Sequence, residues 1–194
     1  MNYNMFQGNK VRLRAKTAED AARFRLRIEN GGYDTELDRL SDTVYLPNSY
    51  ESRKDEIESE AARPNDWDRC NLVIETLDGT PVGGVIVRDA DRTNGTFSYG
   101  LGIDREHWRK GYTSEAVLLL LRYYFGELRF HKCGVTVFDF NEGSKALHIA
   151  LGFTEEGRLR EAKFSGGRYY DALRYGMLDR EYWALHKDKF APVL

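Results

Sequence analysis

A chain of 194 residues, 41% hydrophobic and 31% charged, is long enough for one ordinary globular domain and too short for two comfortable ones. A formal net charge of −2 gives counterion release little to work with, so the expected partner is a small ligand or a local protein surface and not nucleic acid. Two cysteines, Cys70 and Cys133, cannot make a multi-bridge framework, which predicts buried thiols and a cytoplasmic location.

In chain order, MNYNMFQGNKVRLRAK carries no apolar segment behind its charges, so no leader is expected. Residues 10–14, KVRLR, alternate like a short strand, and Thr17 with Asp20 three residues later predicts a capped helix through about Ile28. The glycines and scattered carboxylates of ENGGYDTELDRLSD read as a loop. SYESRKDEIESEAARP offers a polar helix that must end ahead of Pro64. From Cys70 onward, NLVIETL, the turn DGTP and VGGVIVRDA predict a hairpin, followed by a third strand, TFSYGLGID. Gly100 and Gly102 inside that strand suggest a bulge, or a place where another molecule approaches the backbone.

Val117, Leu120, Leu121, Tyr124 and Leu128 recur at helical spacing, predicting one long amphipathic helix to about Phe130. Its aliphatic run VLLLL is far below membrane-spanning length. The strand CGVTVFDF follows, then a short helix capped by Asn141 and stopped by Gly152. Two more strands around SGG and a closing helix complete the chain, without internal repeats. The pattern predicts an α+β domain spanning residues 1–194, built on a mixed, mostly antiparallel sheet of about seven strands. Its one parallel crossover would join TFSYGLGID to CGVTVFDF through the long helix.

A ligand site is expected at that helix's N-terminus, where HWRKGYTSEA lies. The first turn of a helix presents unpaired N–H groups and the positive end of its dipole. With a glycine at 111 and cations at Arg109 and Lys110, a phosphate or pyrophosphate is the natural occupant. Neither GxxxxGK[ST] nor GxGxxG after a strand occurs, so the familiar nucleotide loops are excluded.

GLGIDREHWRKGYTSEA resembles the acyl-CoA pyrophosphate loop of GNAT-type N-acetyltransferases, and NEGSKALHIALGF resembles the second signature of that superfamily. The extended pattern around the second signature, with Asp171, Tyr175, Met177, Leu178 and Trp183, is similar to the RimJ/RimL-type branch; the likeness covers roughly residues 8 to 183. The resemblance implies an acetyl-CoA co-substrate, an amine acceptor, no metal, and a monomer or homodimer. It places the loop on Trp108, Arg109, Lys110, Gly111, Tyr112 and Thr113, extending to Ser114. Trp108 stands where many members carry Gln or Arg, and Thr113 where they carry a small residue; backbone amides do the binding, so the pattern survives both. Leu101 and Ile103 fall where relatives pair with the pantetheine arm, and Asn141 matches a cofactor-contacting asparagine.

Acetyl transfer needs a free lone pair. Deprotonating a lysine-like amine near neutral pH costs about 4.6 kcal/mol, against about 2 kcal/mol for stabilising a thiol-like leaving group and about 1 kcal/mol for an N-terminal α-amine. The resemblance offers Ser144 or His148, one helical turn apart, as the acid that meets the thiolate. The base is open, because Ser98 stands where many relatives carry glutamate; a water relay through Ser98 or Tyr99, and help from Glu75 or Asp139, are the alternatives. Residues 29–60 hold ten carboxylates against three cations, a local excess of seven negative charges that would attract a cationic amine. Asp34, Glu36 and Asp38 are the best substrate-binding candidates there, with Ser98 and Tyr99 beside them; a charge-rich helix is usually only a solvated face.

Two rivals remain. A thiol-dependent acyltransferase could use His131 and Cys133, although periodicity buries Cys133 beside Val135 and Val137. A non-catalytic acyl-CoA-binding protein of the same fold would account for the missing glutamate.

Overall fold

The computed structural model describes residues 4–20, 23, 40 and 49–190. Seven strands form one mixed sheet in the order β1-β2-β3-β4-β5-β7-β6. They are β1 (Val11–Ala15), β2 (Asn71–Thr76), β3 (Pro81–Asp91), β4 (Thr96–Ile103), β5 (Lys132–Phe138), β6 (Thr154–Ser165) and β7 (Arg168–Leu178). The labelled helices are α1 (Tyr50–Ala62), α2 (Tyr112–Arg122), α3 (Glu142–Leu151) and α4 (Asp179–His186). All pairings are antiparallel except β4 with β5, as the crossover through α2 requires.

Local signals in the sequence explain most boundaries. Ser49 caps α1 by accepting from the Ser52 N–H, and the helix stops before Pro64. Thr17 and Asp20 form the reciprocal cap expected of them, Asp20 accepting the Thr17 N–H at 2.8 Å, and residues 18–20 are helical. The rest of that expected helix, to Ile28, lies outside the described residues. Asn141 caps α3 and Gly152 closes it in the left-handed region at φ +90°, where a side chain would be strained.

The long helix is shorter than its periodicity suggests. Regular α-helix ends at Arg122, and a π turn, Tyr123–Glu127, carries the chain onward. The wider turn helps seat Tyr124, whose ring stacks on Phe97 at 4.5 Å and whose hydroxyl donates to the Trp67 carbonyl at 2.9 Å. The core lies between α2 and the sheet, where Val117 to Leu121, Tyr124, Phe97, Cys133, Val135 and Met177 are all buried.

Candidate active site

β4 alternates. Phe97, Tyr99, Leu101 and Ile103 turn toward α2 and α3, while Ser98, Gly100 and Gly102 occupy the opposite face. Its parallel pairing with β5 extends only from Thr96↔Lys132 to Ser98↔Gly134. Beyond Ser98 the strands part, opening a cleft along the edge of β4. Asp104 N–H donates to the Val82 carbonyl at 2.9 Å while Ile103 faces Gly83, an alternation that turns the backbone groups of Leu101 and Ile103 toward the cleft. A Cβ on Gly102 would meet nothing within 4 Å, so this part of β4 is open.

The expected bulge at Gly100 and Gly102 is absent from the register, which runs unbroken through both; the breaks lie at Ile74/Glu75 and Arg88/Asp91. Within the sheet a close approach involves another glycine. The Gly102 carbonyl oxygen lies 2.1 Å from where a Cβ on Gly83 would stand, so the hairpin requires glycine at 83.

The loop from β4 to α2 ends beside this opening. Arg109 has φ 60° and Gly111 φ 80°, two left-handed residues that reverse the chain immediately before α2. Helical bonding starts with Glu115 N–H to the Gly111 carbonyl, so the amides of Tyr112, Thr113 and Ser114 have no intrahelical acceptor. Trp108 anchors the loop through its indole N–H, which donates to the Ile103 carbonyl at 2.8 Å, with its ring 41% exposed. Lys10 is a further cation, which the sequence reading missed. Its Nζ donates to the Lys110 carbonyl at 3.0 Å and stands 2.9 Å from where a Cβ on Gly111 would be. No local motif reveals this contact, because β1 and α2 are adjacent only in the fold.

On α3, Asn141 Oδ1 accepts the Ser144 N–H at 3.0 Å. His148, 3% exposed, has Nδ1 2.7 Å from the Ser144 carbonyl and 3.3 Å from Ser144 Oγ. Its Nε2 is 2.9 Å from the hydroxyl of Tyr99, itself 7% exposed. Burial lowers the His148 pKa, which the Ser144 carbonyl only partly opposes, so the ring is neutral at neutral pH. His148 therefore lies under α3 and not at its rim, while Ser144 is half-buried.

Ser98 and Tyr99 point to opposite faces of β4. Ser98 Oγ donates to Asp89 Oδ2 at 2.8 Å, and Tyr99 is committed to His148. Glu75 is a poor base. Burial raises its pKa, but hydrogen bonds from Arg14 and Arg12 outweigh this and lower it overall. Cys133 is fully buried with its thiol pushed well above the usual range, while His131 is engaged with Asp179 at 3.2 Å, so these two make no nucleophilic pair. Asp34, Glu36 and Asp38 lie outside the described residues. A separate hollow of about 430 Å³, lined in part by Phe6, Trp67 and Tyr123, lies at the C-terminal end of α2, away from this loop. Among the described residues, no group of acidic, histidine and cysteine side chains has metal-binding geometry, and no helix is long and apolar enough to cross a membrane.

Residues 10–154 match the acetyltransferase (GNAT) domain family. The chain is 33% identical over 186 residues to the SPbeta prophage-derived uncharacterized N-acetyltransferase YokL of Bacillus subtilis (strain 168), covering 96% of this chain and 99% of the relative. It is 31% identical over 125 residues to the spermidine N(1)-acetyltransferase of Escherichia coli (strain K12), covering 63% and 66% of the two chains. Among solved structures, the spermidine N-acetyltransferase of Vibrio cholerae in complex with CoA and spermine superposes with a TM-score of 0.74 at 23% identity, covering 89% of this chain and 97% of the other. At that identity the likeness is one of fold.

Proposed function

The chain belongs to the GNAT acetyltransferase family and is an N-acetyltransferase, and from that premise we propose that it moves an acetyl group from acetyl-CoA directly to a primary amine. The observation that carries the reading is the cleft beyond Ser98↔Gly134, which ends beside the amides of Tyr112, Thr113 and Ser114, none of which has an intrahelical acceptor. Those amides, with Arg109 and Lys110, suit a pyrophosphate; the backbone of Leu101 and Ile103 suits the amide-bearing pantetheine arm. Asn141, which caps α3, is a further cofactor contact in this proposal. Acetyl-CoA would supply the activated acyl group as a thioester.

In the transfer the new C–N bond forms as the C–S bond breaks. The acceptor ammonium gives up one proton before attack and the nitrogen a second afterwards; one ends on sulfur and the other in solvent. Ser144 is the better donor toward sulfur, because it is half-buried whereas His148 is enclosed and holds its Nδ1 proton on a carbonyl. No cysteine is needed, consistent with the buried Cys133.

A small-molecule amine is favoured over a protein N-terminus, because the relatives include a spermidine acetyltransferase and residues 29–60 are strongly acidic. Within this proposal Asp34, Glu36 and Asp38 bind the cationic acceptor, the protein is a single catalytic domain of RimJ/RimL-like type, and its two free buried cysteines suit the cytoplasm. Release of free thiol from acetyl-CoA should be followed with spermidine, amino acids, aminoglycosides and peptide α-amines side by side. Release with a small polycation is the expected result; CoA binding without release on any amine would leave a non-catalytic acyl-CoA-binding protein.

A further inference from the structure

Tyr99, His148 and Ser144 form a continuous polar chain from β4 to α3, and its proton arrangement follows from the partners. The Ser144 carbonyl can only accept, which favours the ring proton on His148 Nδ1, 2.7 Å away. A neutral imidazole then has a bare Nε2, and the Tyr99 hydroxyl at 2.9 Å must donate to it. The ring is held in place by Phe153 edge-on at 5.1 Å and Tyr175 stacked at 6.2 Å.

Ser144 Oγ stands 3.3 Å from the same Nδ1. While Nδ1 is protonated, the serine oxygen can only accept from it, and the serine's own proton is free to turn into the cleft. In the other tautomer, with the proton on Nε2, a bare Nδ1 would draw the serine proton inward, away from the leaving thiolate.

We propose that Tyr99 is a positioning residue for acetyl transfer: by donating to His148 Nε2 it locks the tautomer that leaves the Ser144 proton facing the cleft. This rests on the reading of Ser144 as the donor to sulfur. Tyr99 acts as a lock and not as the far end of a proton relay. A relay would leave a phenolate in a site that strongly opposes one, since burial pushes the Tyr99 pKa well above its ordinary value. The other titratable groups facing the pair are Cys133 from β5 and Tyr175 from β7. The Cys133 thiol is held neutral by burial, and the Tyr175 hydroxyl, 3.4 Å from Glu155 on β6, is raised by burial and by that carboxylate.

Long-range nitrogen NMR on the free protein reads the tautomer directly. The chain has four histidines, and His148→Asn identifies the His148 signals by their loss. The expected wild-type pattern is a protonated Nδ1 and a bare Nε2, and Tyr99→Phe, nearly isosteric, should shift the ring toward a tautomer mixture. With the best acceptor of the amine panel, Tyr99→Phe should lower kcat by roughly tenfold to a hundredfold, at or below the loss expected on removing a general acid outright, and leave KM for acetyl-CoA unchanged. His148→Asn keeps an N–H near the Nδ1 position and should retain more turnover than His148→Gln, which puts one near Nε2. A proton on Nε2 in the wild type, an unchanged tautomer in Tyr99→Phe, or higher turnover in His148→Gln would each overturn the lock. The tautomer is read without acetyl-CoA or an amine, so it fails or stands separately from the transfer reaction.

Discussion

The backbone N–H of Lys10 donates to the carboxylate of Glu115 at 2.7 Å, tying the segment that leads into β1 to the first turn of α2. The neighbouring amides of Asn9 and Val11 donate to the same carboxylate at 2.9 and 2.8 Å. Glu115 is thus an acceptor for three consecutive amides, beyond the favourable dipole position its place in the sequence suggests. The clasp also sets Lys10 Nζ over the loop at Lys110 and Gly111.

Glu115→Ala should strand those amides and cost about 2–3 kcal/mol, the scale of lost hydrogen bonds to a charged acceptor. Urea unfolding checks the stability. Calorimetry with CoA should show weakened binding as the clasp and Lys10 loosen; unchanged stability would show that solvent replaces the clasp.

Gly111→Val should weaken CoA binding more than it destabilises the fold. The left-handed backbone at φ 80° costs a branched residue about 1–2 kcal/mol, and its Cβ would meet Lys10 Nζ. Calorimetric affinity and thermal unfolding, measured together, separate the two effects; unchanged CoA affinity would remove the loop from the cofactor site.

Asp20 should make the fold acid-sensitive. Hydrogen bonds from Arg14 at 2.6 and 2.9 Å lead the causes that lower its pKa from 3.8 to about 2, with burial opposing and Thr17 assisting. A depressed carboxylate stabilises the fold above its unfolded value, and the contribution is lost as pH falls through the folded one. Asp20→Asn should therefore cost about 2 kcal/mol near neutral pH, with the gap to wild type closing between pH 3.8 and about 2. Urea titrations across that window give the test.

Cys133 should resist alkylation in the native protein and react once it is unfolded, because the thiol is fully buried and held neutral. Cys133→Ala should keep kcat near wild type while losing about 1 kcal/mol of stability. A large loss of kcat with the fold intact would revive a covalent route.

Much of the fold was legible locally. Thr17 and Asp20, Ser49, Asn141 and Gly152 mark helix ends through bonds within a few residues of themselves, the alternation in TFSYGLGI follows from a half-buried strand, and the run LVIET is buried throughout. The π turn at Tyr123–Glu127 was not legible, since Tyr124 answers there to Phe97 and Trp67, which are distant in sequence. Nor was Gly83, whose need for glycine comes from the Gly102 carbonyl across the hairpin.

The sequence by itself determined the order of elements, the family pattern and the segments that carry its loop and second signature, because caps, periodicity and motif spacing are properties of neighbouring residues. Tertiary structure alone decided that Lys10 and Glu115 join the β1 approach to the cofactor loop, that Glu75 is held by Arg12 and Arg14, and that Tyr99 meets His148. Each of these depends on groups brought together by the sheet register and the α2 crossover. Their desolvation and hydrogen bonding, which fix protonation and reach, do not exist until the chain has folded.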